Sequence, residues 1–162
     1  MDFVITPYQT VGPIRFGMTR IEVRQALKVA VSEVTKSYLS DEISIEEENF
    51  VDYFDELDIS VAYKPEPPYS CIGVILYKGA NPLFGNRNLL NIPIEVLKDW
   101  LELLDDSVKV TIDGVSSYRF GISLDTDSYK LFKDEPPKSV GAFVEGYLET
   151  CDELLSIPPQ SQ

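Results

Sequence analysis

The sequence predicts an α+β protein. It reads as a single domain over residues 1–155, a mainly antiparallel sheet of about five strands with two helices on one face, followed by a frayed tail at 156–162. Three observations predict this. Two stretches, 19–34 and 93–104, repeat their apolar residues at helical spacing. Between and after them lie short apolar or alternating runs bounded by Gly, Pro, Asn and Asp, the pattern of strands and turns. Finally, 162 residues with 44% hydrophobic content suffice for one core and do not demand a second.

The first helix is the best specified element. Gly12-Pro13 and Gly17 turn the chain before it. Thr19 with Glu22 three residues later forms a capping box, and Met18 with Val23 forms a hydrophobic staple around it. Val23, Ala26, Leu27, Ala30, Val31 and Val34 then share one face, with Arg20, Arg24, Gln25 and Lys28 opposite. Thr19 and Glu22 are thereby explained as a helix start, with no catalytic role needed.

Residues 37–63 hold nine acids and no base, and pass into FDELDISVAY, where Leu57, Ile59, Val61 and Tyr63 alternate as a half-buried strand. KPEPPY is a turn, and SCIGVILYK is a nearly continuous apolar strand of the kind found in the middle of a sheet. GANPLFGNRNLLN reads as a loop. The second helix, 93–104, carries Val96, Leu97, Trp100, Leu101 and Leu104 as its stripe. VKVTI follows as a strand, and Asp113-Gly114 signals a two-residue hairpin into VSSYRFGISLDT. KDEPPK turns the chain into SVGAFVEGYLE, and LLSIPPQSQ is a helix end or strand exit before the tail. The halves also rhyme: LDISV with FGISL, then a proline turn, then IGVIL with VGAFV, with Gly73 matching Gly141. Either a tandem helix-strand-strand repeat or two ordinary strand pairs accounts for that.

Charge restricts the partners. With 27 acidic and 14 basic residues the formal net charge is -13, so nucleic-acid phosphates and anionic membranes repel the chain while a basic protein is drawn to it. No apolar run is long enough to span a bilayer, and MDFVITPYQT has neither the basic n-region nor the apolar h-region of a signal peptide. The expectation is a cytoplasmic protein with Cys71 and Cys151 as reduced thiols. Absence of histidine removes Ser-His-Asp and Cys-His nucleophiles, two cysteines cannot build a structural zinc site, and no phosphate loop is present. The acidic stretch lacks the spacing and the glycine of a calcium loop. Carboxylate pairs are abundant, yet among 27 acids some pairs lie close by chance, so no catalytic residue, metal ligand or cofactor is assigned.

The run VGPIRFGMTRIEVRQAL, residues 11–27, resembles the opening of an uncharacterised bacterial family with a GMT-x-x-E-V helix start. More distantly it is similar to the helix start of small modules of the SmpA/OmlA and β-lactamase-inhibitor-protein type. The shared positions are Gly17, Met18, Thr19, Glu22 or Val23, and Leu27, about a tenth of the chain. The resemblance implies a helix packed on an antiparallel sheet and a habit of binding proteins. It names no catalytic residue, and the lipoprotein role of the outer-membrane relatives is not carried across.

The candidate partner-binding set is therefore the acidic stretch with its aromatics: Asp41, Glu42, Glu46, Glu47, Glu48, Asp52, Tyr53, Phe54 and Asp55, carboxylates forming a rim around aromatic anchors. The competing reading turns those aromatics inward and leaves only a solvated acidic face. The functional expectation is a non-catalytic protein-binding module, of the immunity type that masks a basic partner. The alternative is a small-ligand-binding protein or enzyme whose pocket sequence does not reveal.

Overall fold

The computed structural model describes residues 1–32 and 50–156. It is α+β, with two mostly antiparallel sheets and, among the described residues, twelve strands and four helices. The larger sheet, all antiparallel, contains β4 (Val51–Phe54), β5 (Ile59–Tyr63), β6 (Cys71–Leu76), β9 (Val108–Thr111), β10 (Gly114–Ser117), β11 (Ile122–Asp125) and β12 (Ser139–Phe143). Its order is β4-β5-β6-β12-β11-β10-β9. The smaller sheet, β3-β2-β1-β7-β8, joins β1 (Asp2–Thr6), β2 (Thr10–Val11) and β3 (Ile14–Arg15) to β7 (Asn81–Phe84) and β8 (Arg87–Asn88). The helices are α1 (Arg20–Leu27), α2 (Ile94–Leu104), α3 (Tyr129–Phe132) and α4 (Tyr147–Ser156).

The inventory is richer than five strands and two helices. The N-terminal DFVIT run forms β1, with Phe3 and Ile5 buried in alternation, and it pairs in parallel with β7. GANPLFGNRNLLN, expected as a loop, therefore supplies β7 and β8, because Asn81, Pro82 and Leu83 find a strand some eighty residues earlier to pair with. Pro82 lies beyond the two-residue ladder with β8 and uses only its carbonyl on that side, accepting from the Leu89 N–H at 3.0 Å. SCIGVILYK does become the inner strand β6, flanked by β5 and β12. The hairpin at Asp113-Gly114 forms one residue earlier than expected: Thr111 pairs with Gly114, leaving Ile112 and Asp113 as the loop. Gly114 is needed for closeness, since a Cβ there would fall 2.1 Å from the Leu124 carbonyl oxygen.

Helix α1 begins as its sequence dictates. Thr19 accepts from the Glu22 N–H and the Glu22 carboxylate accepts from the Thr19 N–H. It stops at Leu27, well short of 34, because Lys28 turns left-handed with φ 58° and donates its N–H to the Arg24 carbonyl. Ala30 and Val31 continue the helical spacing by coincidence, and Val34 lies outside the described residues. In α2 the buried stripe is Ile94, Leu97 and Leu101; Val96 and Leu104, expected on it, are exposed.

Register places the two faces of the large sheet. Phe54, Ile59, Val61, Val74, Leu76, Val140, Ile122, Leu124 and Val115 point one way, into a single core that also takes Phe3, Ile5, Val11 and Ile14 of the small sheet. Each such side chain contributes roughly 1.5–3 kcal/mol by leaving water. Asp52 and Ser117 lie on that same face by register. Asp52 holds α1, and Ser117 donates to Asp105 at the end of α2 at 2.7 Å, so both helices cover the core face. Helix α4 covers the opposite face, where Tyr147 stacks on Phe143. Among the described residues no helix is long and apolar enough to cross a membrane.

Candidate functional site

Three places on the large sheet concentrate polar chemistry: its β4 end, the face beneath α4, and its β9 end. Of the acidic segment singled out from sequence, the described residues Asp52, Tyr53, Phe54 and Asp55 belong to the first. Asp41, Glu42, Glu46, Glu47 and Glu48 lie outside the described residues. Strand alternation separates the rest. Asp52 and Phe54 point into the core, 1% and 0% exposed, while Tyr53 between them is half-buried on the other face and Asp55 is exposed beyond the strand. These four residues do not form one surface, and Phe54 is a core side chain rather than an exposed anchor.

Asp52 is a buried anchor. Arg20 donates to its Oδ1 through Nε at 3.0 Å and Nη2 at 2.7 Å. Arg24, one helical turn on, donates Nε to Oδ2 at 2.8 Å and Nη2 to Oδ1 at 2.7 Å, and the Tyr63 hydroxyl donates to Oδ2 at 3.0 Å. Burial pushes the carboxyl's pKa upward, but the hydrogen bonds from the two guanidiniums outweigh it and hold the carboxyl below its ordinary range. Burial beside that carboxylate pushes the Tyr63 hydroxyl strongly up. Arg20 and Arg24 are four apart on a helix, which is the sequence signal for a shared counter-ion. Nothing in the sequence says which of many acids supplies it.

On the opposite face the glycines of the matching runs form a floor. A Cβ on Gly73 or Gly141 would come within 2.5 Å of the Phe143 ring, so that ring lies across both, and Tyr147 stacks on it at 4.5 Å. Beside this stack is a recess of about 230 Å³ whose polar lining includes Asp113, Ser116, Ser123, Asp125 and Asp152. Ser123 and Ser139 donate to Asp125 Oδ2 at 3.2 and 3.3 Å. Burial pushes Asp125 up to about 6; the serine bonds oppose that shift and Asp113 adds to it. The carboxyl can therefore exchange a proton near pH 6. Tyr118 donates to Asp152, fixing α4 against the sheet. Sequence gave no sign of this arrangement, since its members come from β9 through α4 and none forms a motif.

At the β9 end the sheet meets a shallow groove of about 580 Å³ bordered by Lys109, Val110, Ile112, Asp113, Asp127 and Asp152. Ile112 on its border is 80% exposed, and Leu131 of α3 is 75% exposed. The N–H of Tyr129 donates to the Ile112 carbonyl and ties α3 to the hairpin tip. Lys138 pairs with Asp127 across the groove rim.

The two thiols are unpaired; Cys71 is buried and its pKa is pushed up to about 12, so it is held as an unreactive core thiol. Among the described residues no cluster of three or more metal-ligating side chains occurs. Comparison with protein-family models, with curated proteins and with solved structures finds no match for this chain.

Proposed function

We propose that this chain is a non-catalytic protein-binding module that masks a basic partner, as an immunity-type protein does. The observation that carries the reading is the β9 end, where Ile112 stands exposed beside Asp113 and Asp127 at the groove, with exposed Leu131 on the adjoining α3, on a chain of net charge -13. Apolar anchors inside a charged rim are the composition of a protein interface, and the surrounding field speeds encounter with a cation-rich partner. The acids from Asp41 to Glu48 add to that field wherever they lie.

Affinity purification from the native host, followed by reconstitution with the purified partner, tests it. A basic protein whose association slows steeply between about 50 and about 200 mM salt supports the reading. Replacing Glu46, Glu47 and Glu48 with Gln should slow association severalfold and flatten that salt dependence. A neutral or acidic partner would contradict it.

A second reading rests on the recess beneath α4, where a proton-exchanging carboxyl, serine hydroxyls and an aromatic stack could hold a small cationic ligand. Native mass spectrometry of the purified protein decides this: a stoichiometric small molecule supports it, and the bare polypeptide mass opposes it.

The sheet also reads as a tandem repeat. Aligning Gly73 with Gly141 makes the observed pairs Phe143↔Gly73 and Gly141↔Ile75 exchange with each other, as a local two-fold axis requires, whereas the flanking ladders differ by two residues: Ile59↔Leu76 maps to Ile122↔Val144, and the observed pair is Ile122↔Ala142. Expression of residues 93–156 alone probes this. A true repeat should pair with itself through β12 as a dimer, whereas an unfolded fragment speaks against equivalence.

A further inference from the structure

We infer that β9 is a docking edge that accepts an extended, basic segment of the partner as an eighth strand of the large sheet; the inference rests on the protein-binding reading above and names where and how that partner is held. Among the described residues β9 pairs only with β10, and in an antiparallel ladder every second residue of such a strand turns its N–H and C=O away from its neighbour. Edges are commonly blunted by short length, lysine, proline, bulges or inward charges, and of these β9 has its four-residue length and Lys109. Val108–Thr111 has no proline, its register with β10 runs without a shift, and it carries a single charge, Lys109. The other end of the sheet is treated differently: the Ser32 N–H donates to the Tyr53 carbonyl at 2.7 Å, and the Asp55 N–H donates to Ser32 Oγ at 2.8 Å, so chain already lies along β4.

The surroundings of β9 select the occupant. Val110 is 42% exposed on the core side of the strand and Ile112 stands at its end, a place for alternate apolar side chains of an added strand. Asp113, Asp127 and Asp152 border the groove, and Lys138 shows that this rim already attracts an ammonium group. An added strand with Lys or Arg at every second position satisfies both. A second copy of this chain fits poorly, because edge-to-edge pairing would bring two bodies of charge -13 together.

The test titrates the full 15N-labelled chain with acetyl-Lys-Val-Lys-Val-Lys-Val-amide and with the same peptide N-methylated at every backbone amide, which keeps the charge and removes the donors. Expected are amide shifts concentrated at Val108–Asp113 and at least tenfold weaker binding of the methylated peptide. Val110→Pro, which removes a β9 donor, should weaken binding at least tenfold, and Asp113→Asn with Asp127→Asn about threefold to tenfold with a flatter salt dependence. Should Val110→Pro fail to fold, the methylated peptide decides. Equal affinity of both peptides, or shifts confined to other elements, overturns strand addition while leaving the basic-partner reading in place. No binding of either peptide removes both. A free chain that is already a dimer with protected β9 amides also overturns the proposal.

Discussion

The two ends of the seven-stranded sheet use their charges in opposite ways. At β4 a carboxylate is turned inward, Asp52, and met by two guanidiniums and a phenol, while Ser32 lies along the strand's backbone. At β9 the carboxylates Asp113 and Asp127 are turned outward, Ile112 stands in water, and no described segment pairs with the strand's edge away from β10. Closing an edge with a neutralised buried charge stabilises a fold. An edge left bare beside outward carboxylates, of which Asp127 is met by Lys138, is the feature on which the proposed docking rests.

Substitutions sharpen that comparison. Phe54→Ala, at the closed end, should cost roughly 3–5 kcal/mol by opening a cavity, visible as a large fall in urea midpoint. Asp52→Ala should cost about 3 kcal/mol, since it strands Arg20, Arg24 and Tyr63 around a missing counter-ion. A midpoint unchanged by either would mean that this end is not closed as described. Asp125→Asn should have the opposite sign, stabilising the protein at pH 7 by on the order of 2 kcal/mol, because the carboxyl is held near neutral in the fold yet must ionise there. Thr19→Ala removes one capping bond and should cost about 1 kcal/mol without altering binding. Ile112→Asp, at the open end, should move stability by less than about 0.5 kcal/mol while weakening partner binding. A large loss of stability there would show the hairpin tip to be part of the core after all.

Asp52, buried, and Asp125, half-buried, also predict opposite pH dependences. Asp52, lowered in the fold, contributes stability above the ordinary carboxyl value of about 3.9, and that contribution is lost as pH falls through its folded pKa. Asp125, raised to about 6, contributes stability that is full below about 3.9 and is lost as pH rises toward 6. Melts of Asp125→Asn between pH 4 and 7 should therefore show a flatter loss of stability with rising pH than the parent; an unchanged profile would contradict the shift.

Much of the fold was legible locally. The capping box at Thr19 and Glu22, the inner strand at Cys71–Leu76 and the span of α2 all follow from residues that specify their own conformation. What sequence did not reveal depends on distant partners. β7 is a strand because β1 pairs with it, α1 ends at Lys28 through a left-handed turn that a continuing apolar period conceals, and Phe143 covers two glycines only once β6 and β12 are neighbours. The candidate site suffered most. An acid among acids carries no mark of whether it will be buried, so Asp52 looked like a rim charge until Arg20 and Arg24 were placed over it. The β9 edge was invisible for a similar reason: VKVTI reads as a strand, but whether a strand is inner or outer is a property of the sheet.

The most direct test of the contrast between the ends is native-state hydrogen exchange of the free chain and of the chain saturated with the Lys-Val hexapeptide. The account predicts that, in the free protein, amides at Val108–Thr111 that face away from β10 exchange fast while those of β5 and β6 are protected, and that the peptide slows the β9 amides at least tenfold and leaves β4 unchanged. Protection of all β9 amides without peptide, or peptide-induced protection along β4 instead, would contradict it.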